Sequence, residues 1–359
     1  MTPIFDALIR EQLTLAPPST DYGLDCFVSS EVGYNEVLSR CMPASPSPRG
    51  AYLGVGPDQN YTYIGALRPQ LAVILDARLD NLLEHLIFKL AFAEAGNPLD
   101  YLCLVLGRRR PVAGLAKIGS VVAQLKDQSM DEVQAATFLA HVLATFRARW
   151  TADEVLLKRV ERLLRELVRR QLQVTSVSEK CLANLDKIPD FEEVITATTP
   201  EGFNFHYLTH PDRFGYVKAM HAQNKIIPLL GNVASPGGIA SVRRIVEAAG
   251  LKLTAVYLSN LEEFLLQRYI IEDDRIVGRP NPRGLLEGST GQAYDALIER
   301  LEMLPAEDDA VLIRFFFPAE HRGRQLGVFP WLGSHVGFLG DFLRRYRAER
   351  PSCVLDTYV

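Results

Sequence analysis

The stretch Gly54-Val55-Gly56-Pro57-Asp58-Gln59-Asn60, followed twenty residues after Gly56 by Asp76, has the residue types and spacing of a nucleoside grip. A glycine lets the backbone approach a ligand that a side chain would keep off. A helix that starts just after such a turn points its free N–H groups at whatever sits there. A carboxylate at the end of the next strand can accept both hydroxyls of a ribose. Gly54, Gly56, Asn60 and Asp76 are therefore candidate cofactor contacts. A dinucleotide fingerprint, GxGxxG, would put its third glycine at Gln59, where it serves close helix–strand packing beside a pyrophosphate. S-adenosylmethionine has no pyrophosphate, so the departure favours it over NAD. The residues leave one plain alternative open, a tight strand-to-helix turn with no ligand and a surface aspartate.

Other residues offer weaker chemistry. Ser259-Asn260 follows the apolar run Leu253 to Leu258, and strand ends of open α/β sheets face the ligand crevice. Their short polar side chains can meet an adenine edge or an acceptor, or Asn260 can simply cap a following helix. His206 and His210 are four apart, with His221 beyond. On a regular helix that spacing could bind a metal, but Pro211 and the aromatic run FNFHYL oppose a regular helix there. We read them as ordinary histidines and expect no metal. His206 or His210 can still serve as a general base on an acceptor hydroxyl. The basic run from Lys158 to Arg170, with Glu161 and Glu166 interleaved, reads as a solvated helix face. The loop His321-Arg322-Gly323-Arg324 reads as surface. GKS or GKT phosphate loops, GxSxG elbows, HExxH and EF-hand patterns do not occur.

These residues need a sheet to position them. Leu71 to Leu75, LAVIL, is a continuous apolar run that suits a strand covered on both faces. Together with the run 51–55, a helix from Asp58 to Leu67 and a helical pattern from Leu79 to Leu90 ending at Gly96, it makes strand, helix, strand, helix. The pattern returns after residue 203, with strands at 226–230, 253–258 and 310–317 and helices at 239–249 and 293–304. Residues 334–347 read as a further helix. Residues 111–187 carry no strand signal. Ser129 with Glu132, and Thr151 with Glu154, look like capping boxes opening two long helices. The expected fold is α/β, a Rossmann-like, doubly wound, mostly parallel sheet with a helical insertion. The organisation is an N-terminal helical segment (1–50), a first half (51–110), the insertion (111–200), a second half (201–330) and a C-terminal helix and tail (331–359).

The bulk numbers bound the class. The chain has 359 residues, 48% apolar and 23% charged, which excludes disordered and collagen-like proteins. A net charge of -4 and a pI near 6.0 speak against nucleic-acid binding. Five scattered cysteines without CxxC pairs fit reduced thiols. A charged N-terminus and short apolar runs lead us to expect a soluble cytoplasmic protein with no membrane segment. The oligomeric state is not fixed, and a homodimer is one state the sequence permits.

The segments YLGVGPDQNYTYIGALRPQLAVILDARLDNLLEHLIFKLAF, IIPLLGNVA, AVYLSNLEEFL and FVSSEVGY resemble an uncharacterised bacterial family. Its Rossmann fold is like that of class I S-adenosylmethionine-dependent methyltransferases. The resemblance covers roughly residues 25–107 and 203–268. It implies a cofactor turn at Gly54 and Gly56 and a ribose carboxylate at Asp76. It also implies Asn232, Ser259 and Asn260 beside the ligand, with Ser30 and Glu31 closing over it. General methyltransferases differ in two places, having an acid where this chain has Tyr52 and a third glycine where it has Asp58. The expected activity is S-adenosylmethionine-dependent methyl transfer to a small molecule. The competing readings are a non-catalytic nucleoside-binding or biosynthetic accessory protein, and an NAD-dependent oxidoreductase.

Overall fold

A computed structural model describes residues 2–16, 27–29, 31–42, 47–110, 121–175, 189–262, 270–272, 275–277, 290–315 and 334–349. Ser30 and the loop 321–324 lie outside the described residues. The helices are α1 Thr2–Leu15, α2 Tyr34–Cys41, α3 Gln59–Leu67, α4 Leu79–Glu94, α5 Pro98–Val105, α6 Val121–Lys126 and α7 Glu132–Arg149. They continue with α8 Glu154–Arg170, α9 Phe191–Thr196, α10 Pro211–Ala222, α11 Pro236–Ala248, α12 Thr290–Glu302 and α13 Leu339–Glu349.

Six strands make one sheet: β1 Ala51–Gly54, β2 Leu71–Asp76, β3 Ile226–Leu230, β4 Leu253–Tyr257, β7 Ala306–Phe315 and β8 Ser334–Phe338. A short antiparallel hairpin, β5 Ile270–Glu272 with β6 Arg275–Val277, is separate. The sheet order is β3-β2-β1-β4-β7-β8. Neighbours pair in parallel except β7 with β8. The chain thus lays strands outward from β1 through β2 to β3, then returns to the other side of β1 with β4. That reversal is a topological switch point at the carboxyl ends of β1 and β4, the place where open α/β sheets form a ligand crevice.

Alternation along each strand feeds two cores. Tyr52, Ala72 and Ile74 pack with Ile64, Leu86, Leu102 and Val217 on one face. Ala51, Leu53, Val73 and Leu75 pack with Val242, Leu297 and Leu339 on the other. Covering on both faces is why LAVIL carries no polar alternation. The edge strand β3 carries Pro228, which has no N–H to give. The Gln12 side chain of α1 closes this edge, donating to Pro228 O and accepting from Leu230 N at 2.6 Å.

The helices of 121–170 are not a body apart. Phe138, Val142, Leu163 and Leu167 belong to the same core as Tyr52 and Ile74, and Arg159 and Arg162 both pair with Asp80 of α4. The basic face of α8 is therefore only partly solvated. Arg170 is buried, donates to Thr175 and lies over the Phe27 ring.

Three local expectations change. The caps of α7 and α8 are Asp131 and Asp153, whose carboxylates accept from Gln134 N and Val155 N, and not Ser129 and Thr151. An ionised carboxylate at the N-cap also meets the positive end of the helix dipole, which a hydroxyl cannot match. A full capping box forms instead at Asp190 and Glu193. Asp131→Ala should cost about 1 kcal/mol in urea denaturation and Ser129→Ala close to nothing. Lastly, Ser334–Phe338 is a strand and not the start of a helix, because β7 offers it an open edge, and the helix begins at Leu339.

Candidate functional site

β1, β2 and β4 deliver Gly54, Asp76 and Tyr257 to the same end of the sheet. The two turn glycines there do different work. A Cβ on Gly54 would lie 1.8 Å from Asn60 Oδ1 and 2.7 Å from the Tyr52 ring. Gly54 is therefore glycine so that Asn60 can fold back. The Asn60 amide donates to Val55 O, Gly56 O and Pro57 O, and its Oδ1 accepts from Tyr52 OH at 2.9 Å. Asn60 thus shapes the bend from behind, with its amide hydrogens spent on turn carbonyls. Gly56 has φ +80, and a Cβ there would meet nothing within 4 Å. Its carbonyl also contacts His85 Nε2 at 3.0 Å, while His85 Nδ1 faces Tyr61 OH at 2.7 Å. Burial pushes the His85 pKa down to about 4, so the ring stays neutral.

Asp76 stands where the sequence puts it, but its oxygens are engaged. Oδ2 accepts from Gly56 N, Asn81 Nδ2 and Arg78 Nη2, each at 2.9 Å. Oδ1 accepts from Arg78 N at 2.8 Å and Arg78 Nε at 3.0 Å. Five donors fill the roughly four lone-pair sites of a carboxylate. Burial alone would raise its pKa, but the Arg78 charge and the bonds from Arg78 and Asn81 outweigh that and hold it below the usual range.

The turn from Gly54 to Asn60 is buried along its whole length, which counts against the cofactor contacts expected at Gly54, Gly56 and Asn60. The N-terminal segment covers it. Ser29 N donates to Asp58 Oδ1 at 3.3 Å. Glu31 crosses to β4, its Oε1 accepting from Tyr257 OH at 2.7 Å and Ser259 Oγ at 2.5 Å. Ser259 adopts φ +51, a left-handed conformation that is strained for a non-glycine residue. Burial pushes Glu31 up to about 7 despite the Ser259 and Tyr257 hydroxyls. Burial likewise pushes Asp58 up to about 7, offset in part by backbone N–H groups.

The remaining expected residues divide. Asn260 adjoins Ser259, accepting a 3.3 Å bond from its Oγ, and is half-buried. Asn232 follows β3, is exposed, and spends its Oδ1 on Ala234 N in the turn before α11. His206 and His210 belong to the turn before α10. His206 Nδ1 accepts from Leu208 N, and its ring lies against Tyr34, Tyr207 and Phe191. His210 Nε2 meets Asn204 O at 2.5 Å. Burial, with His210 adding, pushes His206 down to about 3, and burial lowers His210 too. These are structural positions, and no described bond joins either ring to the Gly56, Asp76 and Ser259 group. Among the described residues no group of three or more His, Cys, Asp and Glu side chains is placed to hold a metal. None of the described helices is long and apolar enough to cross a membrane.

Sequence reasoning missed Asp58, Tyr257, Arg78 and His85 as members of the site. Asp58 alone carried a signal, a carboxylate where a general methyltransferase has glycine. Residues 38–271 match the family described as a domain of unknown function (DUF7790). No curated protein matches the chain.

Proposed function

The chain belongs to the DUF7790 family, and from its site we propose a Rossmann-like, doubly wound protein that binds S-adenosylmethionine and methylates a small molecule. One observation carries the reading: Gly56, backed by open space, donates its N–H to the carboxylate that ends the next strand. Asp76 would hold the ribose hydroxyls and Gly56 would let the nucleoside approach. When bound, S-adenosylmethionine supplies an electrophilic methyl group. The protein need only hold the acceptor in line and exclude water. Asp58 speaks against NAD, since a buried carboxyl at the start of α3 would face the pyrophosphate.

Binding in this way asks Arg78 to release Asp76. Its side chain is 22% exposed and can turn to solvent. Calorimetry with S-adenosylhomocysteine tests this. Asp76→Asn should weaken binding roughly a hundredfold, as expected for two bonds to a charged carboxylate. Arg78→Ala, which removes two of the five donors and the positive charge from Asp76, should leave binding equal or tighter. Binding that survives in Asp76→Asn, or none in the parent chain or in Arg78→Ala, overturns the reading.

A second reading, a non-catalytic nucleoside-binding or accessory protein, is favoured by the closed crevice: Ser29 and Glu31 bridge α3 and β4 across it. It predicts nucleoside binding without methyl turnover on a metabolite extract.

A further inference from the structure

Four other buried carboxylates of this protein have cationic partners. Asp6 pairs with Arg149, Asp80 with Arg159 and Arg162, Asp100 with Arg110, and Glu262 with Arg314. Glu31 and Asp58 are more deeply buried than most of these, at 1% and 2% exposure. Their hydrogen-bond partners are neutral, two hydroxyls for Glu31 and backbone N–H groups for Asp58. Arg213, on the α10 face against Gly65 of α3, lies over the Phe205 ring instead. Removing an ionised carboxylate from water without a counter-charge is costly.

The neighbours sharpen the point. Among the described residues, Glu31 Oε2 and Asp58 Oδ2 have no hydrogen-bond partner, nor do either polar atom of the Gln59 side chain or Thr62 Oγ1. Gln59 and Thr62 are fully buried. Asp58, Gln59 and Thr62 lie on adjoining positions of one face of α3 by helical spacing. The Ser29 bond lays the Glu31 segment across the start of that face. Glu31 Oε2, Asp58 Oδ2, the Gln59 amide and Thr62 Oγ1 are thus left without described partners along the buried start of α3 and the segment that covers it. A ligand that matches them brings a positive charge and several N–H donors.

We propose that Glu31 and Asp58, with Gln59 and Thr62, form an anionic subsite for a protonated amine. Glu31 and Asp58 provide the counter-charge, while Gln59 Oε1 and Thr62 Oγ1 accept the remaining N–H bonds. An amine substrate and the aminoacyl end of the proposed cofactor both carry this group. The subsite rests on the proposed function only in the second case.

Calorimetry and thermal shift at pH 8 separate the two. One arm titrates alkyl amines from ethylamine to spermidine, each against its neutral alcohol. The other compares S-adenosylhomocysteine with 5′-methylthioadenosine, which lacks the amino-acid end. If the ammonium is the substrate's, an amine binds and its alcohol does not, and the signal falls at least tenfold in Glu31→Gln and Asp58→Asn. If it is the cofactor's, those variants lose S-adenosylhomocysteine tenfold or more and keep 5′-methylthioadenosine. Thr62→Ala, a smaller change, should weaken the same ligand by a fewfold. Amine binding without nucleoside binding upholds the subsite and sinks the methyltransferase reading. No amine binding, together with S-adenosylhomocysteine binding unchanged or absent in all three folded variants and the parent, overturns the subsite.

Discussion

In urea at pH 8, Asp58→Asn and Glu31→Gln should each unfold later than the parent chain, although both remove a charge from the proposed site. The Asp58 carboxyl is pushed up to about 7 from an ordinary 3.8, and Glu31 to about 7 from 4.5. A group with a raised folded-state pKa lends stability below its unfolded value and loses it as pH climbs through the folded value. The parent chain should therefore hold these two contributions near pH 4 and shed them between about pH 4 and 7. At about 1.4 kcal/mol per unit the loss is at most roughly 4 kcal/mol for Asp58 and 3 for Glu31. The amides keep the acceptor oxygens for Ser29, Tyr257 and Ser259, so we expect about 1–3 kcal/mol of that to return as stability at pH 8. The gap between parent and variant should close toward pH 4. Variants less stable than the parent at pH 8 would mean that these carboxylates find cationic partners in solution. A gain in stability from removing site charges is the signature of a site strained for its ligand.

The sheet was largely legible because its strands are short, apolar and bounded by glycine, asparagine or aspartate. Leu71–Asp76, Ile226–Leu230 and Leu253–Tyr257 fall where the patterns put them, since burial on both faces leaves a clear apolar signature. Ser334–Phe338 misled because SHVGF has no period of its own. Its state is set by the free edge of β7, which a local window cannot contain. The same limit governs the site. Gly56 and Asp76 could be paired from spacing alone, and they are bonded. That Arg78 lies on the same carboxylate, or that Glu31 reaches a strand more than two hundred residues away, depends on tertiary approach. Nor does glycine declare its purpose. Gly54 and Gly56 look alike in the motif, yet one makes room for Asn60 and the other supplies a left-handed bend.

That difference gives the largest expected effect. In Gly54→Ala the new methyl would sit 1.8 Å from Asn60 Oδ1, and Asn60 cannot yield cheaply because three turn carbonyls and Tyr52 depend on it. Overpacking plus stranded buried carbonyls should cost more than about 3 kcal/mol. In Gly56→Ala the methyl meets nothing, and only the positive φ is strained, about 1–2 kcal/mol. The two substitutions should part again in binding. Gly56→Ala, still folded, should lose S-adenosylhomocysteine, because its methyl occupies the open space that the nucleoside needs. Gly54→Ala combined with Asn60→Ala should be less damaging than the sum of the single changes, since removing Asn60 removes the clash. Urea midpoints for the parent and the four variants, Asn60→Ala among them, decide it. If Gly56→Ala proves the more destabilising, the space in front of it is filled by protein, and the nucleoside assignment loses its footing.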